Sequence, residues 1–270
     1  MCKSPWIRSL PFVFAVNALI GASLPQLLRA DTAADQGLAI AREQDKRESG
    51  FGDYSATLAM TLRTADGKEA QRQMRLLELE VVSDGDKSLT VFDAPKDVAG
   101  TALLTWSHKT ADDDVWLYLP SLSRVKRIAS NNKSGAFMGS EFAFEDIASQ
   151  EVEKFSYRYL RDEKLDGQDC TVVEQIPTYV NSGYSKQIVW RDKTELRVQK
   201  IDYYDHRNEL LKTLRMTDYK RYLDKFWFSG RYEVVNHKTG RSTKLLMQNY
   251  KFRNGYKARD FDQTSLERAR

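Results

Sequence analysis

The side chains able to do chemistry are few and scattered. Three histidines occur, His108, His206 and His237. They lie far apart, and no two have the spacing of metal ligands on a helix. There is no G-x-S-x-G nucleophile elbow. Both glycine-rich phosphate loops, G-x-x-x-x-G-K-[ST] and G-x-G-x-x-G, are missing as well. Cys170 stands near Val172 in a strand-like stretch, which favours a buried structural thiol over a nucleophile. Asp112, Asp113 and Asp114 put three carboxylates in a row, but the spaced donors and final Glu of a calcium loop are absent. A solvated turn before a strand is the expectation there. Glu141 and Glu145 fall one helical turn apart, with Asp146 beside them. Interleaved with Phe142, Phe144 and Ile147, they read as the solvated face of a docked helix rather than an acid–base pair. The residues therefore predict no metal site, no cofactor and no catalysis. A hydrolase is the weakest of three readings, testable at His108.

The basic group Arg124, Lys126, Arg127 and Lys133 admits two uses. It can meet lipid head groups or an acidic partner through its charge, or it can protect an edge strand from pairing. It lacks the interleaved aromatic platform of a single-strand nucleic-acid binder.

The elements that must position these groups follow from the periodicity. Residues 31–49 read as an amphipathic helix ended by Gly50. The period then changes to two. Tyr54, Ala56, Leu58, Met60 and Leu62 share one side of a half-buried strand. Asp66-Gly67 and Asp84-Gly85 mark turns, and 68–82 continues as the partner strand with Leu77 and Leu79 on its apolar side. Further strands are predicted at 88–92, 101–107, 114–119, 124–128, 154–165, 169–176, 186–191, 196–204, 210–221, 230–236 and 242–252. A short helix over 141–148, capped by Ser140, interrupts them, and the residues from Asp260 read as polar and loosely packed. Short connections make the sheet antiparallel. The fold class is thus mainly β (α+β), with about eleven strands, an N-terminal helix and a short central helix. One long apolar face of such a sheet must be covered. A hollow for an apolar ligand under a helical lid and a filled sandwich or barrel core both fit the composition.

The chain has 270 residues, with 42 Lys and Arg against 38 Asp and Glu. Three of the basic residues, Lys3, Arg8 and Arg29, lie in the first thirty, where there is no acid. That stretch has a positive start, an apolar run over 10–24 and Ala30 as a cleavage residue, the parts of a secretory signal. The expected domains are a signal peptide, 1–30, and one exported domain, 31–270. Without the signal the net charge falls from +4 to +1, and Cys2 leaves, so Cys170 has no intrachain disulfide partner. Export also removes nucleic acid as a partner.

Several blocks resemble the outer-membrane lipoprotein-sorting (LolA-like) superfamily. They are 97–104 (DVAGTALL), 115–120 (VWLYLP), 124–128 (RVKRI) and 137–147 (FMGSEFAFEDI). The last three carry most of the likeness, and they look like the branch associated with resistance-nodulation-division (RND) and mycobacterial membrane-protein-large (MMPL) transporters. The resemblance implies a half-open curved antiparallel β-barrel with helices as a lid. It implies a periplasmic carrier for lipoprotein acyl chains, lipid or another apolar ligand bound for the outer membrane. An inner-membrane RND/MMPL-type transporter and an outer-membrane acceptor are the implied partners. The expected cavity residues are Leu58, Met60, Leu62, Leu77, Leu79, Val91, Leu103, Trp116, Tyr118, Tyr157, Trp190 and Met216. Phe137, Met138, Phe142, Phe144 and Ile147 are the expected lid. Arg124, Lys126 and Arg127 are the expected head-group or partner contacts. The alternative of another class is a filled, non-carrier scaffold that docks on a transporter or envelope complex.

Overall fold

Thr32 begins the first element. Its hydroxyl accepts a hydrogen bond from the Asp35 backbone N–H at 3.1 Å, and Asp35 reaches back to it, a reciprocal cap. Helix α1 (Ala33–Glu48) follows. In the computed structural model residues 32–268 are described; the expected signal segment and Cys2 lie outside the described residues. None of the described helices is long and apolar enough to cross a membrane.

After Gly50 the chain runs through β1 (Asp53–Arg63), β2 (Glu69–Leu79), β3 (Lys87–Ala94), β4 (Ala102–Trp106), β5 (Asp114–Leu119) and β6 (Arg124–Ile128). A short helix, α2 (Phe144–Ile147), precedes β7 (Phe155–Leu165), β8 (Gln168–Pro177), β9 (Lys186–Asp192), β10 (Val198–Tyr204) and β11 (Leu210–Thr217). A small hairpin, β12 (Lys220–Tyr222) and β13 (Phe226–Phe228), leads to β14 (Arg231–Asn236), β15 (Ser242–Phe252) and α3 (Gln263–Arg268). Thirteen strands form one antiparallel sheet in the order β6-β5-β4-β3-β2-β1-β15-β14-β11-β10-β9-β8-β7. Its terminal strands, β6 and β7, do not pair, so the curved sheet stays open.

Fifteen described strands stand where thirteen strand ranges, grouped as about eleven strands, are expected. The predicted strand over 210–221 breaks at Asp218, where φ is +58°, and its end becomes β12. Phe226–Phe228 is too short to show a period. The predicted central helix shrinks to Phe144–Ile147, and Ser140 does not cap it. The Ser140 hydroxyl donates to the Phe137 carbonyl at 2.7 Å, while Asp146 accepts from the Ala143 N–H at 2.7 Å. The C-terminal residues are not loose either. Phe261 and Leu266 are fully buried against β3, β4 and β5 on the outer side of the sheet, and Trp106 Nε1 donates to the Phe261 carbonyl at 2.6 Å. Two apolar residues in a polar tail carry too weak a period to be read from sequence.

Candidate functional site

Residues directly opposite one another in a ladder share a face, so the register assigns faces across the sheet. One row runs Lys126, Leu117, Leu103, Thr90, Leu76 and Ala56. Another runs Met60, Leu245, Tyr232 and Met216. A third runs Val234, Leu214, Ile201, Val189 and Val173. Most of these residues belong to the largest apolar cluster, which also contains the segment 137–147. We call this the inner face.

The twelve expected cavity residues divide equally. Leu58, Met60, Leu62, Leu103 and Met216 lie in the inner cluster, and Tyr157 joins them through its register opposite Gln175, which pairs with Gln187 and so with Tyr203. Leu77, Leu79, Val91, Trp116 and Tyr118 are on the outer side under Phe261 and Leu266, and Trp190 packs with the fully buried Cys170 in a third cluster. Strands β2, β3 and β4 are apolar on both faces because the C-terminal segment carrying Phe261 and Leu266 packs on the outer one, so alternation alone could not choose the side.

All five expected lid residues meet the inner face. Phe137 is 1 % exposed and Phe142 4 %. The Phe137 ring centroid lies 5.8 Å from Phe92 and 5.7 Å from Phe144, tilted or edge-on, as aromatic pairs prefer. The segment is thus a plug seated in the sheet. Its turn puts Met138 in the left-handed region, φ +47°, and closes through the Phe137 N–H to the Phe142 carbonyl at 2.7 Å.

The acidic residues of this segment are not a solvated face. Glu145 is buried and accepts hydrogen bonds from the Tyr179 hydroxyl, the Ser182 hydroxyl and the Gly183 N–H, each at 2.8 Å. Burial raises its carboxyl above 4.5 even so. Asp146 accepts from the Tyr184 hydroxyl at 2.8 Å and from Lys212, whose ammonium also donates to the Glu141 carbonyl at 2.9 Å. Glu141 pairs with Arg241 at 3.0 Å and accepts from Asn236 at 2.7 Å. These partners are distant in sequence, which is why the local pattern looked solvated.

The Asp112–Asp114 turn is likewise drawn inward. Asp113 accepts from the His108 N–H at 3.1 Å, is bonded by Lys154 and has Lys133 at 3.8 Å. His108 Nδ1 lies 2.6 Å from Asp84 and Nε2 3.4 Å from Asp114. Burial opposes its charge, but the hydrogen bonds to the two carboxylates prevail and raise the imidazole above 6.5. This pair should add stability below pH 6.5, the unfolded value, and lose it as pH rises through the folded value. The effect should be small because Asp84 is half exposed. Asp84→Asn should move the His108 titration down in an NMR pH series; an unmoved titration would remove the pairing.

Arg124, Lys126 and Arg127 stand exposed on β6, the open edge of the sheet. Arg127 pairs with Asp114 and so lies on the outer side, whereas Lys126 and Arg124 are opposite inner-face residues Leu117 and Leu119. Two shallow clefts flank this strand. One of about 300 Å³ includes Asp113, Arg127 and Ser130; the other, about 330 Å³, lies beside Gly100, Tyr118 and Pro120.

At the other end, α1 covers β7. It approaches so closely that a side chain at Gly37 would meet the backbone N atoms of Arg158 and Tyr159 at 2.8 Å, which requires glycine. Aromatic rings from β1, β13 and β15 line the neighbouring inner face. Phe228 lies 5.3 Å from both Tyr54 and Tyr250. Sequence reading missed this group because it had no strand at Phe226–Phe228. Among the described residues no three His, Cys, Asp or Glu side chains are grouped to hold a metal.

A family model described as an uncharacterized protein matches residues 84–268. A Vibrio parahaemolyticus domain assigned to outer membrane lipoprotein sorting is 52% identical; the match covers 87% of this chain and 99% of that one, with a TM-score of 0.85. A DUF1329 family protein from Desulfovibrio piger is 29% identical over 87% and 99%, with a TM-score of 0.83. A LolA superfamily protein from Nitrosomonas europaea, 21% identical over 85% and 98%, shares the fold with a TM-score of 0.69. Among curated proteins none matches.

Proposed function

This chain belongs to the LolA-like outer-membrane lipoprotein-sorting family, and on that premise we propose that it is a periplasmic, non-enzymatic carrier of acyl chains. The observation that carries the reading is the plug. An open sheet has a long apolar inner face, and its cover is a short segment held by side-chain contacts rather than by strand pairing. Each methylene of an acyl chain transferred from water to such a face gains about 0.8 kcal/mol, so the chain can compete with the plug for the same surface. Displacement of 137–147 opens the face, and its return releases the ligand. The acyl chains of lipoproteins or lipids are the cargo, an inner-membrane RND/MMPL-type transporter is the partner on the donor side, and an outer-membrane acceptor receives the load.

A second reading keeps the plug permanently in place and makes the protein a scaffold. The exposed basic edge strand β6 favours it, because a free edge beside Arg124 and Lys126 can dock on a partner. One comparison separates the two. Leu62 and Leu77 are both half-buried, but Leu62 faces inward and Leu77 outward. By native mass spectrometry the wild-type protein purified from a bacterial envelope should carry an acyl adduct. Leu62→Arg should lose it and Leu77→Arg should keep it, both remaining folded by circular dichroism. An empty wild-type protein that also fails to take up a neutral fluorescent probe such as N-phenyl-naphthylamine supports the scaffold and removes the carrier.

A further inference from the structure

Cations on an apolar sheet face need partners, because a buried unpaired charge is costly. Lys212 has them in Asp146 and the Glu141 carbonyl. Arg191 has fewer. It is 5 % exposed and lies opposite Thr171 and Val198, two residues beyond Val189 on the inner face. Its Nη2 donates to Gln175 Oε1 at 3.2 Å and its Nε to Gln44 of α1. Both acceptors are neutral amides. Its Nη1 is buried and has no hydrogen-bond partner among the described residues. Glu48 lies near enough to be felt electrostatically, as do Tyr157 and Tyr219. Glu48, however, accepts a hydrogen bond from Gln44 Nε2 at 3.0 Å, and no ion pair joins it to Arg191 among the described residues.

We propose that Arg191 anchors the anionic head, carboxylate or phosphate, of a single acyl ligand whose chain lies along the inner face towards the plug. The inference rests on the carrier reading and adds what the ligand's head must be. An anionic oxygen taking the place of the Gln44 amide gives the guanidinium an ion-paired hydrogen bond in exchange for one to a neutral acceptor. The second oxygen supplies the missing acceptor for Nη1, the bidentate geometry that arginine favours. A neutral ester head offers one neutral acceptor, without the charge or the bidentate pair of oxygens. Arg72 of β2 serves as the comparison. It lies opposite Met60 and also has an unpartnered Nε, but it is half exposed.

The test measures displacement of prebound N-phenyl-naphthylamine by laurate, dodecyl phosphate and methyl laurate, with acetate and inorganic phosphate as chainless controls. In wild type, laurate or dodecyl phosphate should act at concentrations about tenfold or more below methyl laurate. Arg191→Gln should bring the three within about twofold of one another, leaving methyl laurate where it was. Arg191→Lys should keep part of the preference, and Arg72→Gln all of it. The wild-type acid-to-ester ratio needs no variant, so it decides the matter even if Arg191→Gln does not fold. Equal displacement by acid and ester overturns the anchor and leaves the carrier. Displacement by acetate or inorganic phosphate alone assigns the site to free anions and overturns a lipid head. A protein that takes up neither probe nor any dodecyl compound loses both readings.

Discussion

Lys212→Met is expected to lower the unfolding free energy by about 3–5 kcal/mol, read as a fall in the urea midpoint. Both members of the Lys212–Asp146 pair are nearly sealed from water, with side chains 5 % and 3 % exposed. Removing the ammonium leaves the Asp146 carboxylate buried without its counter-charge, although Ala143 and Tyr184 still donate to it. It also frees the Glu141 carbonyl and withdraws a cation from the Tyr203 and Tyr184 rings, 4.9 and 5.1 Å away. The double variant Lys212→Met, Asp146→Asn should regain a large part of the loss, since a neutral amide can keep some of the same hydrogen bonds at lower desolvation cost. These contacts join the plug to β11, β8–β9 and the turn after β14. The single variant should therefore also speed amide exchange over 137–147 before the strands exchange. A loss below about 1 kcal/mol, the range of an exposed pair, would mean that the Lys212–Asp146 pair is not what holds the plug.

Much of the fold was readable because β1 states its face openly. Tyr54, Ala56, Leu58, Met60 and Leu62 alternate with small or polar residues, and that side proved to be the inner one. Strand β2 gives no such statement. Leu76, Leu77 and Leu79 place apolar groups on both faces, and Glu78 stands on the inner row opposite Tyr54, its carboxyl pushed well above the usual range by burial. A charged residue at an inward position and leucines at outward ones invert the rule that alternation relies on. The placing of Leu77, Val91 and Trp116 on the outer face follows from this, because they pack under Phe261 and Leu266 of a C-terminal segment with too few apolar residues to announce itself. The plug was legible as a unit through its phenylalanines. Its anchoring was not, since Glu145 finds its donors at 179–183 and Glu141 at 236–241, distances that only the folded chain closes. Arg191 was hidden for the same reason. In sequence it is one more charge at a strand end; in the fold it faces Gln44 from the far side of the chain.

Phe137→Ala should cost about 3–5 kcal/mol by the usual cavity penalty for a buried aromatic side chain, and it should do something that a core truncation elsewhere does not. Phe137 and Phe261 are matched in burial, at 1 % and 0 % exposed, and both are phenylalanines. They differ in place. Phe137 fills the inner face against Phe92, whereas Phe261 fills the outer one beside Tyr256. As packing defects the two truncations should give similar falls in the unfolding midpoint. If the inner face is where an acyl chain lies, Phe137→Ala also removes that chain's principal competitor for the surface. Uptake of a neutral probe should then rise in Phe137→Ala relative to wild type and stay unchanged in Phe261→Ala, with both compared well below their midpoints. A probe that responds equally to both would report general loosening, and the plug would then be ordinary core. A rise confined to Phe137→Ala ties the conformational free energy of one ring to ligand access. The same interaction that stabilises the empty protein then sets the threshold an acyl chain must exceed.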